Sequence, residues 1–294
     1  MTPTAGPPPD RLITLVEERR PAILDVIRKA RRHITLSLFR CNDDAILGEL
    51  AAATARGVAV DVLVTSRAKG GRRKIEKLWR ALEAAGASVK AYTDPVVKYH
   101  PKYLVADEGP AVVATLNFTR KCFRKTCDAL VVTHDPAVVS GLRALWAADC
   151  ACAPMPADLT ERLIVGPERA RRQFTAIIER AQLSIRLIDA KLSDPDLVSI
   201  LDAKRKAGID VEVFSGARVG ELKSHGKIML LDERTVIVGS LALAALSLDF
   251  RREVAIVVNE PEAVAAAAGL FHEARAARSA RRGGPTGAVD EALC

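Results

Sequence analysis

The chain has 294 residues, of which 49% are hydrophobic and 27% charged, a balance that excludes a wholly disordered chain and leaves ample material for a core. At roughly 150 residues per unit, this length fits two domains or one large pseudo-symmetric domain. The net charge of +8 and pI near 9.3 fit a solvated basic surface and raise the odds of an anionic partner such as nucleic acid, an acidic membrane surface or a phosphate ester.

From Met1 to Asp10 the chain carries Pro3, Pro7, Pro8 and Pro9 and no secretory apolar run, so residues 1–10 are expected to form a flexible tail. The longest apolar stretch, Val236 to Leu248, falls short of the ~20 residues a spanning helix needs. No transmembrane segment is expected, and the chain reads as cytoplasmic and open to peripheral contact with an anionic membrane. Cys41, Cys122, Cys127, Cys150, Cys152 and Cys294 read as reduced, structural thiols. Cys150 and Cys152 have no His or second Cys pair at zinc spacing, so no metal site is expected.

Arg11-Leu12-Ile13 opens an apolar segment, and Pro21 opens a helical pattern with Ile23, Leu24, Ile27 and Ala30. Ile34, Leu36 and Leu38 alternate with polar residues as in a strand. A helix from about Asp43 to Arg56 is stopped by Gly57, and Val58, Val60, Val62 and Val64 form a second strand. At one constant offset the series recurs: Arg162-Leu163-Ile164, Ala181, Leu201 and Gly208-Ile209 match Arg11-Leu12-Ile13, Ala30, Leu50 and Gly57-Val58. A single offset held that long implies two homologous halves, residues 11–150 and 151–277.

Beyond Val64 the first half is longer, through an insertion in Thr65 to Lys98. There Ile75, Leu78, Trp79 and Leu82 predict an amphipathic helix ended by Gly86, with Arg72, Arg73, Lys74, Lys77 and Arg80 on its outer face. Strand pairs follow in both halves, Tyr103 to Ala106 with Ala111 to Val113, and Ile228 to Leu231 with Thr235 to Val238. Leu130 to Thr133 and Val254 to Val258 add one apolar run each, and helices at 137–148 and 262–277 close the halves. This alternation predicts an α/β sandwich in each half, with residues 278–294 as a flexible tail.

Each half repeats a chemical motif. His100, Lys102 and Asp107 return as His225, Lys227 and Asp232, and small-residue turns follow in register at Ala114 and Gly239. Residues two apart on a strand face one way, so each His and Lys can address one site. Imidazole can attack or carry a proton near neutrality, and ammonium can hold a phosphate oxygen. The turns add Thr115, Asn117 and Ser240 as donors to phosphate. Asp128 aligns with Glu253, and either carboxylate could accept a His Nδ1 proton and fix its tautomer.

The His-x-Lys-x4-Asp pattern, its turn and the following acid resemble the phospholipase D superfamily, with both HKD motifs in one chain. That resemblance implies two duplicated α/β sandwich halves packed about a pseudo-twofold axis, with one active site at the seam. It implies His100 as nucleophile, His225 as general acid and base, and Lys102 and Lys227 as phosphate-neutralising groups, with no cofactor. Asp128 and Glu253 would orient the histidines, while Asp107 and Asp232 would serve structure. The chain departs from the family at Ala242, where Asn is usual, and at Ala114, Thr126 and Arg251. His33, His134 and His272 lack a Lys two residues on and read as structural or surface residues.

The expected function is a metal-independent phosphodiesterase that hydrolyses or transfers the phosphatidyl group of phospholipids through a phosphohistidine. The alternatives are a nuclease of the same superfamily, with nucleic acid as substrate, and a degenerate phosphate-binding module. Only 4% of residues are aromatic, which gives few platforms for stacking bases. One chain holds both motifs, so a monomer is expected.

Overall fold

A computed structural model describes residues 8–67, 72–216 and 218–282, and residues 1–7 and 283–294 of the expected tails at 1–10 and 278–294 lie outside them, Cys294 among them. The first half runs β1 (Arg11–Ile13), α1 (Val16–Lys29), β2 (His33–Leu38), α2 (Asp44–Ala55), β3 (Ala59–Thr65), α3 (Arg72–Ala84), β4 (Ser88–Tyr92), β5 (Lys98–Tyr99), β6 (Tyr103–Ala106), β7 (Ala111–Ala114), α4 (Cys122–Lys125), β8 (Thr126–Cys127), β9 (Leu130–Thr133) and α5 (Pro136–Cys150). The second runs β10 (Leu163–Gly166), α6 (Ala170–Arg180), β11 (Ser184–Ile188), α7 (Pro195–Lys206), β12 (Asp210–Phe214), β13 (Arg218–Val219), β14 (Leu222–Ser224), β15 (Ile228–Leu231), β16 (Thr235–Gly239), α8 (Ala245–Phe250), β17 (Arg251–Val258) and α9 (Pro261–Arg282).

The duplication is visible strand for strand. The first sheet has the order β1-β9-β7-β6-β2-β3-β4, and the second has β10-β17-β16-β15-β11-β12. The inserted segment supplies α3 and β4, and β4 extends the first sheet by one parallel strand beside β3. Local devices are duplicated too. Asp43 and Asp194 each cap a helix, and each is paired to an arginine of the preceding helix, Arg20 and Arg171.

Side-chain alternation builds the layers. Along β6, Leu104 and Ala106 join the core under α1, α2 and α3, whereas Tyr103 and Val105 face the second sheet. Along β15, Met229 and Leu231 join the core under α6 and α7, and Ile228 and Leu230 face the first sheet. The sheets therefore share a central apolar layer, closed by α5 and α9, and the strands are apolar on both faces because both faces are covered.

Three expectations shift. α1 begins at Val16, before Pro21, with Glu17 and Glu18 in the first turn where the helix dipole favours negative charge. Asp10 is buried and ion-paired to Arg162, so the end of the expected N-terminal tail is anchored to the second half. α9 continues to Arg282, beyond the expected boundary at 277, and Arg275 and Arg278 pair with Glu212 of β12. Cys41, Cys122 and Cys127 are buried free thiols, and burial pushes those of Cys41 and Cys127 up to about 12, which keeps them unreactive.

Candidate active site

Neither His-x-Lys segment lies inside a regular strand. His100-Pro101-Lys102 links β5 to β6, and His225-Gly226-Lys227 links β14 to β15. Two short strand pairings at the seam hold these links. β5 runs parallel to the start of β17, with Lys98 opposite Arg251 and Tyr99 opposite Arg252, and His100 N then donates to Arg252 O at 2.9 Å. In the mirror arrangement β14 runs parallel to β8, with Ser224 opposite Cys127, and Gly226 N donates to Cys127 O at 2.7 Å. A Cβ at Gly226 would lie 2.7 Å from that same carbonyl, so the second motif needs glycine at its middle position.

Because each His-bearing segment pairs with the other half, the carboxylates are exchanged across the seam. His225 Nδ1 lies 2.8 Å from Asp128 Oδ1, and His100 Nδ1 lies 2.5 Å from Glu253 Oε1. The Asp128 contact is aligned as a hydrogen bond, whereas the Glu253 contact is a close approach off the hydrogen-bonding line. Both carboxylates are fully buried. Burial pushes the Asp128 carboxyl up, but hydrogen bonds from His225, Thr115 and Thr126 outweigh it and hold the group below the usual range. Glu253 goes the other way, raised by burial against the pull of Lys102.

Thr115 Oγ1 donates to Asp128 Oδ1 at 2.6 Å, and the Thr126 hydroxyl donates to Oδ2. Glu253 is supported by the Ser247 hydroxyl, which also accepts from Ala242 N at 2.9 Å, and by Arg251 at 3.8 Å. Ser247 thus ties the turn that carries the Asn-to-Ala departure directly to Glu253. Of the hydroxyls expected at phosphate, Thr115 is engaged with Asp128, and Ser240 exchanges hydrogen bonds with the Val254 backbone. Asn117 Oδ1 differs, being buried with no partner.

Lys102 Nζ sits 3.1 Å and 3.2 Å from the two ring nitrogens of His100 and donates to the His100 carbonyl at 2.6 Å. Lys227 makes the equivalent bond to the His225 carbonyl. Burial, and then the charges of Lys102, Arg251, Lys191 and Lys227, hold His100 well below the usual imidazole range, so it is neutral at physiological pH. Burial lowers Lys102 to about 7, with Glu253 opposing and Lys227 reinforcing the shift. The ring of Phe39 packs edge-on against His100 at 4.5 Å and lies under the Lys102 ammonium at 5.5 Å.

The motif aspartates are remote from this chemistry. Asp107 accepts from the backbone N–H groups of Arg31, Arg32 and His33, and Asp232 accepts from those of Gln182, Leu183 and Ser184. Both sit at positive φ and fasten the turn after each motif to the start of β2 or β11. His33 binds Asp61 at 2.7 Å, away from the cleft. Cys122, Asp128 and His225 each place one donor atom within 4.8 Å of the others, a donor set suited to a soft divalent cation, although Asp128 already receives three side-chain donors.

Several site residues escaped the sequence reading. Lys191 stands in the second half where Arg40 stands in the first, just past the ends of β11 and β2, and the constant offset between the halves carries that signal. Ser247 likewise aligns with Cys122. Arg252 had no sequence signal. It is 4% exposed and binds Asp149, Glu168 and the Gly166 carbonyl, locking α5 and the second half around the strand that presents Glu253.

Two sheets of equivalent topology, with paired His-Lys segments at their seam, define a phospholipase D-like protein. The chain belongs to that family: the family model described as "Cardiolipin synthase, PLD-like domain" matches residues 23–149 and 199–275. Cardiolipin synthase A of Pseudomonas aeruginosa is 31% identical over 175 residues, covering 59% of this chain and 33% of the relative, so the match spans about a third of that protein. Two solved structures share the fold. Polyphosphate kinase from Porphyromonas gingivalis has a TM-score of 0.71 at 19% identity, over 90% of this chain and 50% of its own. Phosphatidylserine synthase from Haemophilus influenzae has a TM-score of 0.65 at 12% identity, over 93% and 86%.

Proposed function

We propose that this chain is a phospholipase D-type enzyme that hydrolyses or transfers the phosphatidyl group of phospholipids. The exchange of buried carboxylates across the seam carries this reading, because it gives one cleft two histidines in different electrostatic settings. His100, neutral and flanked by cations, is the nucleophile: its Nε2 attacks phosphorus and the bond to the leaving alcohol breaks, forming a phosphohistidine. His225, with Nδ1 anchored on Asp128, gives its Nε2 proton to the departing oxygen. It then takes a proton from water or an acceptor alcohol, whose oxygen attacks phosphorus and breaks the P–N bond. Lys102, Lys227 and Asn117 hold the phosphoryl oxygens, and Thr115 and Ser247 brace the two carboxylates.

The family model and the relative named cardiolipin synthase support a phospholipid substrate. Purified protein is expected to release head group from a phosphodiester lipid in excess chelator, and His100→Ala and His225→Ala should each abolish release. Full activity in both variants would sink the mechanism. Cleavage of single- or double-stranded DNA without lipid turnover would move the assignment to a nuclease.

A further inference from the structure

We propose that the mouth of the cleft is a docking surface for an anionic lipid bilayer, with an apolar lip on one side and a cationic one on the other. The inference rests on the lipid reading above and adds how the substrate is reached. Among the described residues, the large exposed hydrophobics are Leu15, Val96, Leu183, Leu246 and Phe250. Val96, Leu246 and Phe250 are carried by the two segments that the β5–β17 pairing joins. Lys98 pairs with Arg251, so Val96 and Phe250 each lie within two residues of that pairing. Leu246 and Phe250 are four residues apart and share one face of that helix.

The lip is braced. Asp94 Oδ1 accepts from the backbone N–H of Val96 and Val97 at 2.8 Å and 2.7 Å, and the Arg67 guanidinium donates to the carbonyls of Asp94, Pro95 and Val97. A loop held this firmly still leaves Val96 66% exposed, and Phe250 is 51% exposed. His100 follows Val96 closely, and Glu253 follows Phe250, so the lip borders the reacting groups.

The duplication supplies the other side. The register that aligns Asp128 with Glu253 aligns Lys121 with Leu246 and Lys125 with Phe250, so α4 and the residue that caps it present cations where α8 presents apolar side chains. Lys121, Arg124 and Lys125 are exposed, as is Lys98, and none forms an ion pair with a described residue. Apolar side chains that enter the acyl boundary beside cations that meet anionic head groups are the pattern of an interfacial membrane contact. A nucleic-acid backbone would use the cations and leave Val96, Leu246 and Phe250 without a partner.

The test is flotation with phosphatidylcholine vesicles with and without phosphatidylglycerol, using wild type, Phe250→Ser, the pair Lys121→Glu/Lys125→Glu, and Leu183→Ser as control. Leu183 precedes β11, at the end of the sheet away from the cleft, and is 64% exposed. Phe250→Ser and the lysine pair should each weaken partition onto phosphatidylglycerol vesicles by about tenfold, while Leu183→Ser partitions as wild type. All four proteins should unfold at one temperature and turn over a water-soluble phosphodiester alike. Undiminished vesicle binding in the lip variants, an equal loss in Leu183→Ser, or lysine-dependent binding of DNA in place of vesicles would overturn the proposal. Partition tests the lip and turnover of the soluble diester tests the chemistry, so the two readings fail separately.

Discussion

Replacing Asp128 by Asn removes the charge beneath His225 and leaves the amide a single acceptor oxygen. In the native protein the carboxylate is fully buried and accepts from His225 Nδ1 at 2.8 Å, from Thr115 at 2.6 Å and from Thr126. A hydrogen bond to a charged group contributes about 1.5–3 kcal/mol. The His225 side chain is 31% exposed, which places the coupling near the lower end, about 1–2 kcal/mol. Urea unfolding of wild type, Asp128→Asn, His225→Ala and the double variant isolates that value as the departure from additivity. The same cycle with His100→Ala should be additive within about 0.5 kcal/mol, because His100 approaches Glu253. The Asp128 carboxyl is held below its usual range, so the coupling is complete above the ordinary carboxyl pKa and disappears as pH falls through the depressed one. Coupling to His100 in place of His225 would refute the exchange of carboxylates across the seam.

Lys102, lowered to about 7, is an ammonium below that pH and neutral above it, so kcat/KM should fall as pH rises past about 7. Lys102→Arg, which stays charged, should remove the contribution of Lys102 to that limb and so change its midpoint, and a profile flat from about pH 6 to 9 in wild type would count against the assignment. Asp107→Ala and Asp232→Ala should each cost about 1–3 kcal/mol in urea unfolding while the folded fraction keeps its turnover, since each carboxylate receives backbone donors remote from the histidines. Gly239→Ala should destabilise by more than about 3 kcal/mol, because a Cβ there would lie 2.3 Å from the Val254 carbonyl and from Ala255 Cα. Thermal unfolding of that variant at wild-type temperature would show that β16 and β17 can separate freely.

The alternating valines of β3, the helix from Asp44 to Ala55 before Gly57 and the basic helix of the insertion were all legible in the sequence, because local periodicity and turn chemistry decide them. Pro21 misled, since proline is tolerated early in a helix and α1 starts before it. The His-Lys pairs were legible because a repeated motif in register needs no coordinates. Arg252 was not, because a buried guanidinium gathering Asp149 and Glu168 is a product of packing.

By itself the sequence determined the duplication, the two His-Lys pairs and the pair of aligned acids, since each is a matter of residue type and spacing along one chain. Which acid serves which histidine was decided by tertiary structure alone. The short parallel pairings of β5 with β17 and β14 with β8 carry each histidine to the opposite half, and such pairings join segments far apart in sequence that carry no local signal of one another. The pairing of β5 with β17 also joins the segment that carries Val96 to the end of α8, a neighbourhood that arises only when the halves meet.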